Sequence, residues 1–269
     1  MGPAGRLALA VISLILACSL AAPLIVRYDP DDIDLDSLRQ PPSARHLLGT
    51  DNKGRDILAR ILHGGRVSLG VSLLAALVSM TIGLLIGLAS GYAGGKTDMV
   101  LMALADLVLS FPAFLLAIGI SVVLPAGTSS VMIALSAVGW ASFARLIRGH
   151  VLALRESAFV EAARALGCSN MRILFVHLLP QCIPLAVVIG GMKAGGYLLT
   201  EAGLSFLGLG AQPPTATWGS MISTGRAFIN SDPWIVMSPG IMIALTAVSF
   251  NLLGDALKEM YDYRREEER

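Results

Sequence analysis

Long apolar stretches separated by short polar ones dominate the pattern of this chain. A stretch of about 20 predominantly apolar residues is long enough to cross a lipid bilayer as an α-helix. The sequence contains six such stretches, at about 7–27, 67–93, 99–124, 129–148, 178–206 and 236–257. We therefore predict an all-α, polytopic membrane protein with six transmembrane helices.

The composition agrees with this class. Charged residues make up 14% of the 269 residues and hydrophobic residues 55%, whereas soluble domains contain about 25% charged residues. The net charge of +1 gives no indication of nucleic-acid binding. Cys18, Cys168 and Cys182 lie in or beside different apolar stretches without metal-ligand spacing. We expect them to be small hydrophobic side chains, not metal ligands or disulfides.

The first apolar stretch, Leu7 to Val26, has two interpretations. Arg6 precedes it and Ser19-Leu20-Ala21 resembles a signal-peptidase site. The apolar core of a signal peptide is only about 7–15 residues long. Because this stretch is longer, we predict a retained span, with cleavage as the alternative.

The positions of Lys and Arg predict the orientation. With the N-terminus inside, eleven of these residues lie on the inner side and eight on the outer side. Only Arg226 remains outside once the long first loop is discounted, because long loops translocate largely regardless of charge. We predict a first transmembrane helix at 1–27, an extracytoplasmic segment with an amphipathic helix at 28–66, a core of five spans at 67–258 and a cytoplasmic tail at 259–269.

Glycines recur at intervals of four residues in two of the predicted spans. A face of bare backbone lets another helix approach closely, although membrane helices are rich in glycine in general. We favour close packing, because four glycines in register exceed what composition alone predicts. They are Gly83, Gly87, Gly91 and Gly95 in the second span, with Gly191 and Gly195 in the fifth.

The loop between the fourth and fifth spans contains a short amphipathic helix at about 156–167. Four apolar residues stand at i, i+3, i+4 and i+7, which predicts one helix face, and a glycine follows that suits a C-terminal cap. Such a helix lies either on the lipid surface or in the groove of a partner protein. We favour a partner, because the small Ala residues permit close seating. The face comprises Phe159, Ala162, Ala163 and Leu166, and the glycine is Gly167.

The residues around this helix resemble a known motif. Glu161-Ala162-Ala163 with Gly167, followed by His177-Leu178-Leu179-Pro180-Gln181, resembles the EAA loop of ABC-importer permeases, and its last part resembles the peptide-importer branch. The resemblance implies a type I ABC-importer permease fold in which this helix is the coupling helix received by an ATPase subunit. The coupling residues would be Phe159, Glu161, Ala162, Ala163, Leu166 and Gly167.

Three further segments resemble the dipeptide, oligopeptide and nickel importer family, of the second-permease type. They are 46–56, 201–210 and 251–257, so that the matches extend from about 46 to 258. The apolar residues at 57–62 predict a helix on the outer membrane surface. For the 46–56 segment, docking of a binding protein and structural capping are both open.

Three ionisable residues lie within predicted spans and are candidates for the substrate pathway, because a charge inside the membrane is costly. Family members often carry Arg three residues before Asp106, where this chain has Ala103, so Asp106 needs another partner. Lys193 either pairs with Asp106, snorkels, or lines the pathway and meets an anionic group. Glu201 is a poor partner for Lys193, since eight residues span about 12 Å along a helix.

The segment from Ser90 to Thr97 resembles a phosphate-binding loop, but it ends a membrane helix instead of following a strand. We therefore expect ATP to bind another polypeptide. We expect this chain to carry no cofactor and no metal and to do no covalent chemistry.

The resemblance implies an ATP-driven importer for di- and oligopeptides, with nickel, a metal chelate or glutathione-like compounds as further candidates. The implied partners are a homologous permease subunit, two ATPase subunits that bind ATP-Mg, an extracytoplasmic substrate-binding protein and membrane lipid. We predict a multi-pass protein of the inner membrane with both termini cytoplasmic. One alternative is a membrane-embedded enzyme, but the spans contain no recognisable catalytic motif. Another is a channel, but an EAA-type loop would have no function in a channel.

Overall fold

The structure, a computed structural model, describes residues 2–267; Met1 and the last two residues of the tail predicted at 259–269 lie outside the described residues. The helices are, in chain order, α1 (Pro3–Leu20), α2 (Ala22–Ile25), α3 (Ile57–Ala93), α4 (Gly95–Leu109), α5 (Ala113–Val123), α6 (Thr128–Leu154), α7 (Ala158–Ala165), α8 (Asn170–Arg172), α9 (Leu179–Phe206), α10 (Trp218–Gly225) and α11 (Trp234–Glu267). A π-helical turn, Ile173–Leu178, joins α8 to α9. The all-α prediction is confirmed.

Helices of membrane-spanning length recur along the chain. Among residues 2–267, five are long and apolar enough to cross a membrane, and there are six if the bent pair of α4 and α5 counts as one span. The five are α1, α3, α6, α8 continued through α9, and α11. The prediction of a polytopic membrane protein is therefore confirmed, and the third predicted span is the unusual one.

The third predicted span, 99–124, is not one straight helix. Its two parts, α4 and α5, meet at an angle of 89°. Pro112 has no backbone N–H and disfavours helical backbone at Phe111, so α4 ends at Leu109 and α5 begins at Ala113. The chain therefore turns a corner within the bundle.

The second predicted span begins earlier than the apolar pattern indicates. Helix α3 has 37 residues and starts at Ile57, where the Asp56 carboxylate accepts a hydrogen bond from the N–H of Ala59 at 2.8 Å. It runs unbroken to Ala93, about 55 Å at 1.5 Å per residue. The helix predicted at 57–62 is therefore present, but it is the first part of α3 and not a separate element.

The glycine face of α3 packs against α6. A Cβ added to Gly83 would lie 2.4 Å from the Cβ of Phe143, and one added to Gly91 would lie 2.8 Å from the Cβ of Val151. These distances leave room for a hydrogen atom only, so close packing is confirmed along this face. Gly95 is an exception, because it lies beyond the end of α3 and has nothing within 4 Å of an added Cβ.

The two glycines of the fifth predicted span have the same role against α11. A Cβ on Gly195 would lie 2.9 Å from the Ala247 carbonyl oxygen, and one on Gly191 would lie 3.1 Å from a methyl carbon of Leu257. Small residues thus let α9 and α11 approach closely, as α3 and α6 do.

A polar assembly formed by residues 28–56 covers the first end of α3. Asp51 forms a buried ion pair with Arg55 at 2.7 Å, and Asp31 binds Arg60 at 3.0 Å. His46 Nδ1 lies 2.9 Å from the Asp56 carboxylate, which also caps α3. The side chains of Asp51, Arg55 and Asp56 are therefore bound within the chain, which favours structural capping over docking for these residues.

Candidate functional site

Helix α7 is the short helix predicted at 156–167. It ends at Ala165, and Gly167 closes it with φ of 76°. The N–H of Gly167 donates to the Arg164 carbonyl at 2.9 Å. A Cβ is sterically unfavourable in this left-handed conformation, so glycine is the preferred residue at this helix end.

The two faces of α7 differ from the prediction in one residue. Val160 and Ala163 are 0% and 5% exposed and pack into the cluster that contains Ile173 and Leu178. Ala163 therefore belongs to the inward face, together with Val160, and its assignment to the partner-binding face is wrong. The i, i+3 spacing of these two residues forms an apolar stripe that holds α7 against the bundle.

The outward face of α7 is apolar and uncovered by the rest of the chain. Leu166 is 84% exposed and Phe159 41%, and Ala162, Glu161 and Gly167 are exposed as well. Two large exposed apolar side chains flanked by charges are typical of a surface that a partner covers.

Polar contacts join α7 and α8 to the far end of α3. Tyr92 donates a hydrogen bond to Asn170 at 2.8 Å, and the Arg164 guanidinium stands 5.6 Å from the centre of the Tyr92 ring. On the same side of the bundle, Arg148 of α6 binds both carboxylate oxygens of Asp98 at 2.5 and 2.6 Å. The ends of α3, α4, α6 and α7 are thus held together.

The segment from Ser90 to Thr97, which resembles a phosphate-binding loop, forms the junction between α3 and α4. Ser90 is buried and donates to Asp98 at 2.5 Å. The segment begins within a helix and has no preceding strand. Gly94 and Gly95, both with positive φ, make the turn between α3 and α4.

A cavity of about 290 Å³ opens where α4 breaks from α5. Its wall is mostly apolar and comes from α4, α5, α6 and α9. Lys193 is the one charged residue among those that line it within the described chain. Other lining residues are Leu109, Phe111, Leu135, Ser142, Tyr197 and Thr200.

Lys193 has no acidic partner in the part of the chain that the structure describes. Its Nζ lies 5.9 Å from the centre of the Phe143 ring. Asp106 is paired with Arg145 instead, so of the alternatives for Lys193 the pair with Asp106 is wrong. The helix contact between α4 and α6 brings Asp106 and Arg145 together, and one-dimensional spacing gives no signal for it.

Glu201 is not among the residues that line the cavity. It is 1% exposed, and it accepts a hydrogen bond from the hydroxyl of Ser205 at 2.8 Å. Its other carboxylate oxygen is buried without a hydrogen-bond partner among the described residues. We therefore assign Glu201 to the interior of the helix bundle and not to a substrate pathway.

Together, these features define a polytopic helical membrane protein with an exposed apolar helix face at one end and a charged side chain in a mostly apolar cavity within the bundle. This combination is typical of a transport permease. The chain belongs to the family of binding-protein-dependent transport system inner membrane components, whose match covers residues 83–267.

Curated relatives cover most of the chain. It is 42% identical over 252 residues to the glutathione transport system permease protein GsiD of Shigella flexneri serotype 5b. This alignment covers 93% of this chain and 83% of the relative. It is 39% identical over 252 residues to GsiD of Pectobacterium atrosepticum, covering 93% of this chain and 84% of the relative. The predicted class, an ABC-importer permease and not an enzyme, is confirmed.

A solved structure supports the fold. A chain in an inward-facing structure of the MetNI methionine ABC transporter aligns with 73% of this chain and 93% of its own length, with a TM-score of 0.59 and 18% identity. The predicted importer-permease fold is confirmed by this match.

Proposed function

We propose that this chain is a permease subunit of an ATP-driven importer for peptide-type substrates, in which α7 couples it to an ATPase. The observation that carries the proposal is the uncovered apolar face of α7, with Leu166 84% exposed. The names of the GsiD relatives support glutathione or short peptides over nickel.

In this proposal the α7 end of the bundle faces the cytoplasm. Two ATPase subunits bind ATP-Mg there, and each receives the coupling helix of one permease. A homologous second permease completes the pathway, and a binding protein delivers substrate at the opposite end, where residues 28–56 lie. Asp106 and Arg145 support a second subunit or a water-filled path beside α4 and α6, because both side chains are more than half exposed and charges are not tolerated against lipid.

Movement of α7 reaches the cavity through the contacts at this end. The buried side chains of Val160 and Ala163 tie α7 to the bundle, and Tyr92 links α3 to the same region. Asp98 then connects α4 to Arg148. Helix α4 runs from this ion pair to the wall of the cavity, so that ATP-driven displacement of α7 changes access to the cavity.

Replacing Leu166 by Asp tests the coupling surface. The change places a charge on the apolar face while leaving the buried face of α7 intact, so the chain should insert normally and lose ATPase subunits during copurification. Leu47→Asp is the matched control, since Leu47 is 64% exposed in the polar assembly at the other end of the bundle. Equal retention of the ATPase by both variants would contradict the proposal.

Two further changes test transmission. Gly167→Pro forces φ to about −65° at a position with φ of 76°, and Glu161→Lys reverses an exposed charge on α7. Both should leave insertion intact and uncouple ATP hydrolysis from uptake in proteoliposomes. Normal uptake by both variants would show that α7 does not transmit the stroke.

A further inference from the structure

Lys193 carries a charge that the protein itself does not neutralise. It lies at the middle of α9, half-buried, and forms no ion pair with a carboxylate among the described residues. Asp106 is bound to Arg145, and Glu201 is two turns away in the bundle interior. An ionisable group at membrane depth faces a water-filled space or a ligand, and for Lys193 that space is the cavity at the break between α4 and α5.

The contact with Phe143 places the ammonium group without cancelling its charge. Its Nζ lies 5.9 Å from the ring centre, within the range of a cation–π interaction, which is attractive but leaves the three N–H donors free. The Phe143 ring is buried against α3, so it is a fixed support for a flexible side chain.

Two of the three hydroxyl groups of the cavity wall already donate to backbone carbonyls. Ser142 donates to the Gly139 carbonyl at 3.0 Å, and Thr200 donates to the Gly196 carbonyl at 2.8 Å. Hydroxyls bound in this way retain acceptor capacity but have no proton to offer. The Tyr197 hydroxyl has no hydrogen-bond partner among the described residues, so Tyr197 and Lys193 supply the donors left in a mostly apolar wall. Of these two, only Lys193 carries a charge.

We infer that Lys193 binds a carboxylate of the substrate in the cavity, so that this permease contributes to the selection of anionic peptide-type substrates. The inference rests on the proposed function. A free C-terminal carboxylate meets an ammonium group in a cavity with few competing polar groups, where a charge-assisted hydrogen bond is strong. A bare divalent cation would be repelled, which removes nickel ions from the substrates that this site favours.

The test uses the complete transporter in proteoliposomes, with the binding protein at saturating concentration. Uptake of alanyl-alanine is compared with uptake of its C-terminal amide, after the affinity of the binding protein for each has been measured separately. Lys193→Met removes the charge and keeps most of the volume. It should lower uptake of the free dipeptide about tenfold or more, since a hydrogen bond to a charged group is lost, and change uptake of the amide less than about twofold.

Two variants keep the result interpretable. Lys193→Arg retains the charge and should retain the preference for the free carboxylate. Lys96→Met is the matched control, because Lys96 is exposed at the start of α4 and remote from the cavity, and it should leave both uptake rates unchanged. If Lys193→Met fails to assemble, Lys193→Gln takes its place, and a preference equal to that of the wild type overturns the inference.

The outcomes separate this inference from the proposed function. Equal loss of both substrates in an assembled Lys193→Met transporter overturns the carboxylate site while ATP-driven uptake by the wild type stands. Unchanged uptake of both substrates overturns it too. If the wild type takes up neither dipeptide nor glutathione on addition of ATP, the proposed function fails and the inference fails with it.

Discussion

Replacing Gly83 by Ala tests how tightly α3 packs against α6. A Cβ at this position would lie 2.4 Å from the Cβ of Phe143 and 2.6 Å from the Trp140 carbonyl oxygen, whereas ordinary contact begins at 3.4 Å. Phe143 is fully buried and the carbonyl belongs to the helix backbone. Neither neighbour moves aside as a flexible side chain would, so α6 itself must shift.

The expected magnitude follows from two opposing terms. Alanine is more favourable than glycine inside a helix by about 1 kcal/mol, while overpacking of a tight interface costs about 1–3 kcal/mol. Gly70 lies in the same helix and has nothing within 4 Å of an added Cβ, so Gly70→Ala receives only the first term. The two variants should differ by about 1–3 kcal/mol in the free energy of unfolding, with Gly83→Ala the less stable.

Thermal unfolding of the full chain in detergent measures this difference. Cys182 is buried, so its reaction with a fluorogenic maleimide reports unfolding in a background in which Cys18 and Cys168 are replaced. A difference of about 1–3 kcal/mol corresponds to roughly 2–12 °C in the midpoint for a chain of this size. If Gly83→Ala melts at or above the temperature of Gly70→Ala, the close approach of α3 and α6 is refuted.

Three further predictions concern charges and orientation. Asp51→Asn leaves Arg55 without its buried partner and should destabilise the assembly of residues 28–56 by about 3–5 kcal/mol, seen as faster cleavage in limited proteolysis; unchanged cleavage would contradict the ion pair. Arg145→Asp should lower the amount of subunit in membranes by placing two carboxylates together, and adding Asp106→Arg should restore it, so failure of the double variant to recover would argue against this pair. A single cysteine at position 165, in a chain lacking the three native cysteines, should react with an impermeant maleimide only after the cells are permeabilised, and labelling in intact cells would reverse the proposed topology.

The parts of the fold that depend on local sequence were predictable. Apolar length marks the spans, and a glycine after an amphipathic turn marks the end of α7, because both effects act within a few residues. The start of α3 was not predictable, because Arg60 and Arg66 interrupt the apolar pattern of residues 57–66. Arg60 is accommodated by Asp31, about 30 residues away in the chain, and a hydropathy pattern contains no such pairing.

The inward face of α7 shows a second limit of sequence patterns. Phe159 and Leu166 form one apolar stripe, and Val160 and Ala163 form another. Periodicity reports that a helix has an apolar face, but with two such stripes it does not report which one meets the bundle. Only the position of Leu178 and its neighbours, which fill the space beneath Val160, decides the orientation.

The third predicted span connects the two candidate sites, and neither its break nor its contacts follow from hydropathy. Helix α4 has 15 residues, about 22 Å at 1.5 Å per residue. Asp98 in its first turn is held by Arg148 close to α7, and Leu109 at its last residue lines the cavity that contains Lys193. A turn at Gly94 and Gly95 separates α4 from α3, and the break at Pro112 separates α4 from α5. Helix α7 and Lys193 are 28 or more residues apart in sequence, yet one short helix, α4, spans the distance between their surroundings.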